Sequence, residues 1–258
     1  MNGLFDVSGK TALVTGGSRG IGLMIARGLV GAGARVIISS RKSAELAAAA
    51  QSLSEHGDCE AIPGDVSSTE GAAELAAAAR SRLEALDILV NNAGVTWGAP
   101  LEQFPASGWD RVMHTNVEGM FHLTVALLPA LRAAAQPGEP ARVINVGSID
   151  GIRTPLVENY SYSASKAAVH MLTRHLAKRL ASEQITVNAI APGPFESKMM
   201  AFLLDAPESR ELVEENVPLG RIGRPDDVAG LSIFLASRAG AYMTGAVIPL
   251  DGGITGCG

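Results

Sequence analysis

Cysteine is nearly absent from this chain: Cys59 and Cys257 are the only two in 258 residues, and neither belongs to a CxxC pair. That excludes a disulfide framework, and two free thiols suit a reducing compartment. Aromatic residues make up only 4%. The net charge of −5 comes without any basic run, so the clustered Lys and Arg that grip nucleic-acid phosphates are missing. No apolar run approaches the ~20 residues of a membrane-spanning helix. The opening "MNGLFDVSGK" has neither the basic nor the apolar region of a secretory signal. The five histidines (56, 114, 122, 170 and 175) form no H-E-x-x-H and no Cys/His cluster, so no metal site is expected. These absences predict a cytoplasmic protein that binds neither nucleic acid nor membrane.

What is present is a 47% hydrophobic chain in which short β-branched runs alternate with alanine-rich amphipathic segments. "TALVTG", "ARVIISS", "CEAIPGD", "LDILVNN", "ARVINVGS", "ITVNAIAPG" and "GAVIPLDGG" read as strands. Helical patterns fall between them at 20–32, 43–55, 68–84, 107–134, 160–182 and 225–237. The strands are apolar on both alternations, as in a parallel sheet covered by helices on both faces. No linker, repeat or composition shift divides the chain. The pattern predicts an α/β protein: one doubly wound Rossmann fold over residues 1–258, with a parallel sheet of about seven strands. Ligands of such sheets bind beyond the C-terminal ends of the strands, so functional residues should follow strands.

"VTGGSRGIG" (14–22) joins the first strand to the first helix. Gly16, Gly20 and Gly22 allow a tight turn and let a pyrophosphate approach the N-terminal amides of the helix. Gly16-Gly17-Ser18-Arg19-Gly20 also matches the G-x-S-x-G elbow of serine hydrolases. That nucleophile normally follows several strands and needs a later histidine, and none follows His175. The dinucleotide reading therefore prevails. The second strand ends in "SSRK" (39–42), without the Asp or Glu that grips an NAD ribose. Arg41, with Arg19 in the glycine loop, suits a 2′-phosphate instead, and NADP(H) is the expected cofactor.

"ENYSYSASK" (158–166) carries two tyrosines and a lysine. At about 100° per residue, Tyr162 and Lys166 share one helix face, while Tyr160 points away. A phenol and an ammonium working together would be Tyr162 and Lys166.

The pieces "TGGSRGIG" (15–22), "NNAG" (91–94), Asn116 in "HTNVEG", "GS" (147–148), "YSASK" (162–166) and "PG" (192–193) occur in order over nearly the whole chain. Together they resemble the short-chain dehydrogenase/reductase family. The resemblance implies that Tyr162 exchanges the proton with a substrate carbonyl or alcohol and that Lys166 lowers the phenol pKa, about 10 when free. It further implies that Ser148 orients the substrate oxygen and that Asn116 joins a proton relay through the lysine. For the cofactor it implies Gly16, Ser18, Arg19, Gly20, Ile21, Gly22, Ser40, Arg41, Asp65, Val66, Asn92, Ala93, Gly94, Tyr162, Lys166, Pro192, Gly193 and Ser197. Ser197 stands where the family often has threonine, and Ser148 and Tyr162 are one residue further apart than is usual.

For the substrate, the expected border is Val95–Ala99 with Trp97, the segment Ile149–Leu156 with Ile149 and Arg153, and "FESKMMAFLLDAP" (195–207). The last of these is read as the start of a lid over about 195–216 in which Met199, Met200, Phe202, Leu203 and Leu204 offer flexible apolar surface. An apolar carbonyl substrate is expected, and the texture of 96–102, 107–113 and 240–253 is similar to that of the family's 3-oxoacyl reductases. Sugar, polyol and steroid dehydrogenases share the motifs, and a non-enzymatic NADP sensor could share the fold. The sensor is disfavoured because the whole Asn116, Ser148, Tyr162 and Lys166 set is present. The helices at 107–134 and 160–182 resemble the family's dimer contact and imply a homotetramer or homodimer.

Overall fold

The computed structural model describes residues 3–155, 157–201 and 206–257. Leu156, Phe202, Leu203 and Leu204, included above in the pocket border, lie outside the described residues. Seven strands, β1 (Thr11–Thr15), β2 (Arg35–Ser40), β3 (Cys59–Pro63), β4 (Ile88–Asn91), β5 (Ala141–Val146), β6 (Ile185–Pro192) and β7 (Val247–Leu250), form one sheet. Their order is β3-β2-β1-β4-β5-β6-β7, and every neighbouring pair is parallel. The chain winds outward from β1 to β3, then returns to β4 and winds the other way. The reversal between β1 and β4 opens the crevice in which ligands of such sheets bind.

The described helices are α1 (Gly20–Gly31), α2 (Ser43–Ser54), α3 (Thr69–Arg80), α4 (Ala106–Met113), α5 (Gly119–Ala134), α6 (Tyr160–Leu180), α7 (Pro207–Glu215) and α8 (Pro225–Ala236). Both faces of the sheet are covered. Ala12 and Val14 of β1 join one core with buried residues of α1, α2 and α8. Leu13, between them, joins the other core with α3, α5 and α6. That two-sided burial is why the strands read as apolar on both alternations.

Two local features position the site. A π-helical turn, His114–Glu118, links α4 to α5 and carries Asn116 inward, where it is buried. Immediately after it, a Cβ at Gly119 would lie 1.7 Å from the Val66 carbonyl oxygen. Only glycine lets this helix press against the segment following β3.

The structure departs from the sequence reading in two places. Residues 207–215, where the sequence reading names no helix, are helical within the expected lid, a segment in which no residue is buried. And Ala106–Ala134, assembled as one 29-residue helix, is long and apolar enough to cross a membrane by length and composition, with mean hydropathy 1.2 over an 18-residue window. Its inner face is occupied, since Leu123, Leu127 and Leu131 belong to the core beneath the sheet.

Candidate active site

A cavity of about 920 Å³ runs across the C-terminal ends of the strands, from the glycine loop to α7. Besides Tyr162 and Lys166, fifteen of the residues expected to hold a cofactor line it together: Gly16, Ser18, Arg19, Gly20, Ile21, Ser40, Arg41, Asp65, Val66, Asn92, Ala93, Gly94, Pro192, Gly193 and Ser197. Gly22 does not. A Cβ there would lie 2.4 Å from both the Gly16 oxygen and Asn92 Nδ2, so its smallness serves the loop's own folding. The Asn92 amide Nδ2 donates to the carbonyls of Thr15 (2.9 Å) and Gly16 (3.2 Å), pinning the loop to the end of β4.

Gly16 and Gly20 have φ of +65° and +55°, the left-handed region that favours glycine. The turn delivers the start of α1 to the cavity, and Arg19, its N-cap residue, gives no side-chain cap. The first amides of α1 are therefore directed at the cavity with the positive end of the helix dipole behind them. At the end of β2, the hydroxyls of Ser39 and Ser40 are buried without a partner among the described residues. Uncapped amides and orphaned hydroxyls fit a phosphate-bearing dinucleotide.

Sequence reasoning missed how the cations here are held. Glu45, in the first turn of α2, meets Arg19 at 3.4 Å, Lys42 at 2.9 Å and Lys198 at 3.7 Å. Its carboxyl is held below the usual range, first by the Lys42 hydrogen bond. Arg41 is half-exposed and only 4.0 Å from Asp65. No acidic residue caps β2, yet an acid one helical turn later balances the basic cluster. A Glu three residues after a Lys is common on helix surfaces, so nothing in the spacing singles it out.

The catalytic set converges at the other end of the crevice. Ser148 follows β5, and Tyr162 and Lys166 face the same cavity from α6. The Lys166 ammonium donates to the Val146 carbonyl oxygen at 2.7 Å and lies 5.5 Å from the centre of the Tyr162 ring. Burial pushes the lysine down to about 8, opposed by the charge of Asp150. The expectation that Lys166 lowers the Tyr162 pKa is not met in this structure. Burial pushes the phenol up to about 12, the Ser148 hydrogen bond pulls it down, and Asp150 adds to the rise. The ammonium is committed to a carbonyl, and burial is the largest influence on the phenol.

Asn116 does not line the cavity. Its Oδ1 accepts from the Val95 amide (2.8 Å), and its Nδ2 donates to the Val95 carbonyl and to Ser165 Oγ, both at 3.0 Å. It clamps the segment after β4. A Cβ at Gly94 would sit 3.3 Å from Asn116 Oδ1 and 3.7 Å from Lys166 Nζ, so the two groups border one small gap.

At the substrate end, Ile149, Arg153, Met199 and Met200 line the cavity as expected. Trp97 does not. It turns onto α4, where a Cβ at Gly108 would meet its ring at 2.9 Å and Arg111 stacks over it at 5.8 Å. Tyr160 does not line the cavity: it packs edge-on against Phe104 and donates to Glu158 at 2.8 Å, so it is Tyr162 that faces the cavity with Lys166, as helix phase predicts. Among the described residues, no three His, Cys, Asp or Glu side chains gather into a metal-binding group.

A seven-stranded doubly wound sheet with Ser, Tyr and Lys beside a glycine-loop crevice defines a dinucleotide-dependent oxidoreductase fold, and the chain belongs to the short-chain dehydrogenase/reductase family. Residues 16–255 match the family described as Enoyl-(Acyl carrier protein) reductase. The chain is 53% identical over 253 residues to the rhamnolipids biosynthesis 3-oxoacyl-[acyl-carrier-protein] reductase of Pseudomonas aeruginosa, covering 98% of this chain and 99% of that protein. It is 38% identical to the galactitol 2-dehydrogenase (L-tagatose-forming) of Cereibacter sphaeroides, covering 98% of this chain and 97% of that one. Among solved structures, the Pseudomonas aeruginosa RhlG/NADP active-site complex superposes with a TM-score of 0.96 at 52% identity, covering 99% of this chain and 100% of that one.

The buried lysine makes a prediction. Below pH about 8 the native state holds a charged Lys166 at a desolvation cost. Above it the native state releases the proton while the unfolded state keeps it up to about 10.5, so stability rises with pH across that window. Relative to Lys166→Met, the wild type should therefore gain on the order of 2–3 kcal/mol between pH about 7 and about 10.5, measured by chemical denaturation. Parallel pH dependences of the two proteins would contradict the assigned burial.

Proposed function

We propose that this protein is an NADP(H)-dependent oxidoreductase that interconverts a carbonyl and a secondary alcohol, reducing a 3-oxoacyl or similar apolar ketone. The observation that carries the reading is the meeting of Ser148, Tyr162 and Lys166 on one wall of a crevice whose far end is built for a phosphorylated dinucleotide. The relative at 53% identity is named a 3-oxoacyl reductase, and the superposed structure holds NADP, which supports both the reaction and the cofactor. A sugar or polyol alcohol is the second reading, supported by the relative that acts on galactitol.

The cofactor would lie with its phosphates at the uncapped start of α1, its 2′-phosphate among Arg19, Arg41 and Lys42, and its nicotinamide toward Pro192, Gly193 and Ser197. Once bound, it supplies the hydride for reduction and takes it up for oxidation. The chain's own residues do the rest. Ser148 holds the substrate oxygen by its hydroxyl. Tyr162 gives that oxygen its proton, and burial keeps the phenol loaded at neutral pH. The tyrosinate left behind needs a nearby cation, and Lys166 is the one its ring faces at 5.5 Å. Asn116 stays in this reading as a member of the proton relay that reaches solvent through the lysine, with the gap at Gly94 between the two groups.

Residues 195–216 act as the substrate lid of a single catalytic domain spanning the chain. Glu196 is tied to α7 through Arg210, and Leu212 and Val213 of α7 join Met199 and Met200 in lining the cavity. Trp109, Phe121 and Val125 of the α4–α5 rod and Met171 of α6 expose apolar surface. That face supports assembly into a homotetramer, or a homodimer, through these helices. A cytoplasmic location accords with a cofactor of the cell interior.

Tyr162→Phe should lower turnover at least about a thousandfold while leaving NADPH affinity within about threefold, read by steady-state rates and NADPH fluorescence. Substantial residual turnover would remove Tyr162 as proton donor. Arg41→Asp should move the ratio of kcat/KM for NADPH over NADH by at least about tenfold toward NADH, a loss of roughly 1.4 kcal/mol. An unchanged ratio would place the 2′-phosphate elsewhere.

A further inference from the structure

Between Ser148 and Tyr162 lies a short 3-10 turn, Ile149–Gly151, whose middle residue is an acid. That acid, Asp150, lines the cavity. The Asp150 amide donates to Ser148 Oγ at 3.1 Å. Asp150 Oδ2 accepts from Asn159 Nδ2 at 3.2 Å. The Asn159 carbonyl in turn accepts the Tyr162 amide at 2.8 Å, which begins α6. These three bonds run without a break from one catalytic hydroxyl to the backbone of the other. Asn159 is buried and gives no N-cap bond, and its Oδ1 has no partner, so Asp150 is the side-chain anchor of that amide among the described residues. Gly151 completes the fit: a Cβ there would lie 2.6 Å from the Lys166 carbonyl carbon. The turn is thus wedged against α6 at the catalytic lysine.

We propose that Asp150 is a positioning residue, a strut that sets Ser148 Oγ against Tyr162 across the longer gap between them. The strut rests on the reading of Tyr162 as proton donor.

Its charge has a second effect. The groups facing Asp150 are Arg153 on its own turn, Asn159 before α6, and Tyr162 and Lys166 on α6. Next along α6, His170 reaches Gly151 and is kept neutral, pushed down to about 4 by burial and by Lys166. Asp150 raises both the phenol and the ammonium. Removing its charge therefore lets Tyr162 ionise at lower pH.

Four variants test this: Asp150→Ala, Asp150→Asn, Asn159→Ala and Tyr162→Phe, each compared with wild type in kcat, KM and the pH profile of carbonyl reduction. Asp150→Ala and Asn159→Ala should each lower kcat by about 10- to 100-fold with KM within about threefold, the cost of a misplaced catalytic group. Asp150→Asn, which still offers an oxygen to Asn159, should restore kcat to within about threefold of wild type. The alkaline limb should move to lower pH in both Asp150 variants and stay in place in Asn159→Ala, a split that general loosening would not produce. Wild-type kcat in Asn159→Ala, an Asp150→Asn as impaired as the alanine variant, or an unmoved limb in Asp150→Asn would each overturn the strut. Should Asp150→Ala fail to fold, the Asn159→Ala and Asp150→Asn results decide alone. Tyr162→Phe separates the two readings: if it is active the proton-donor reading falls, and if it is inactive while the others match wild type only the strut falls.

Discussion

The hydrogen bond from Lys166 to the Val146 carbonyl, at 2.7 Å, fastens α6 to the end of β5, and the site is organised around it. It is possible because α6 comes unusually near the sheet. A Cβ at Gly147 would strike His170 Nε2 at 2.2 Å, and one at Gly151 would strike the backbone of α6. The same approach that brings the lysine to the strand end surrounds it with protein and pushes it down to about 8. A buried ammonium costs stability, and its counterpart is a phenol kept protonated beside it. This is the usual tension in which a functional group is held where folding alone would not put it.

The opposite end of the crevice follows a different logic. There the charges are several and exposed rather than single and buried. Arg19, Lys42 and Lys198 share one carboxylate, Glu45, on side chains that remain a third or more accessible. Exposed pairs of this kind contribute little to stability and are screened by salt. Their arrangement gathers cations from the glycine loop, α2 and the segment after β6 at one point. On the proposed reading, a 2′-phosphate meets cations that are already assembled, and Lys198 brings the start of the lid into the same cluster.

Much of this was legible in the chain itself. Strand number and type followed from runs apolar on both alternations, because both faces of the sheet are covered. Tyr162 was distinguishable from Tyr160 by helix phase alone, and the structure puts Tyr160 on Phe104 and Glu158, where it does not line the cavity. What stayed hidden depends on side-chain direction and long-range approach. Trp97 sits at a strand end as pocket residues do, yet turns onto Gly108. Gly22 belongs to the motif but supports the loop instead of the ligand. The elevated Tyr162 phenol could not be read from spacing, since spacing places Lys166 nearby without saying how deeply the phenol is buried or that the ammonium donates to the Val146 carbonyl. Asp150 was not singled out, because its partner Asn159 is nine residues away and the two meet only when the turn folds back.

The measurement that bears most directly on the whole account is the initial rate of NADPH and NADH oxidation with acetoacetyl-CoA, a longer β-ketoester, a cyclic ketone and a keto-sugar. The account predicts NADPH-dependent turnover that is highest on the ketoacyl compounds and much slower with NADH. Activity confined to the keto-sugar, or no preference for NADPH, would contradict it.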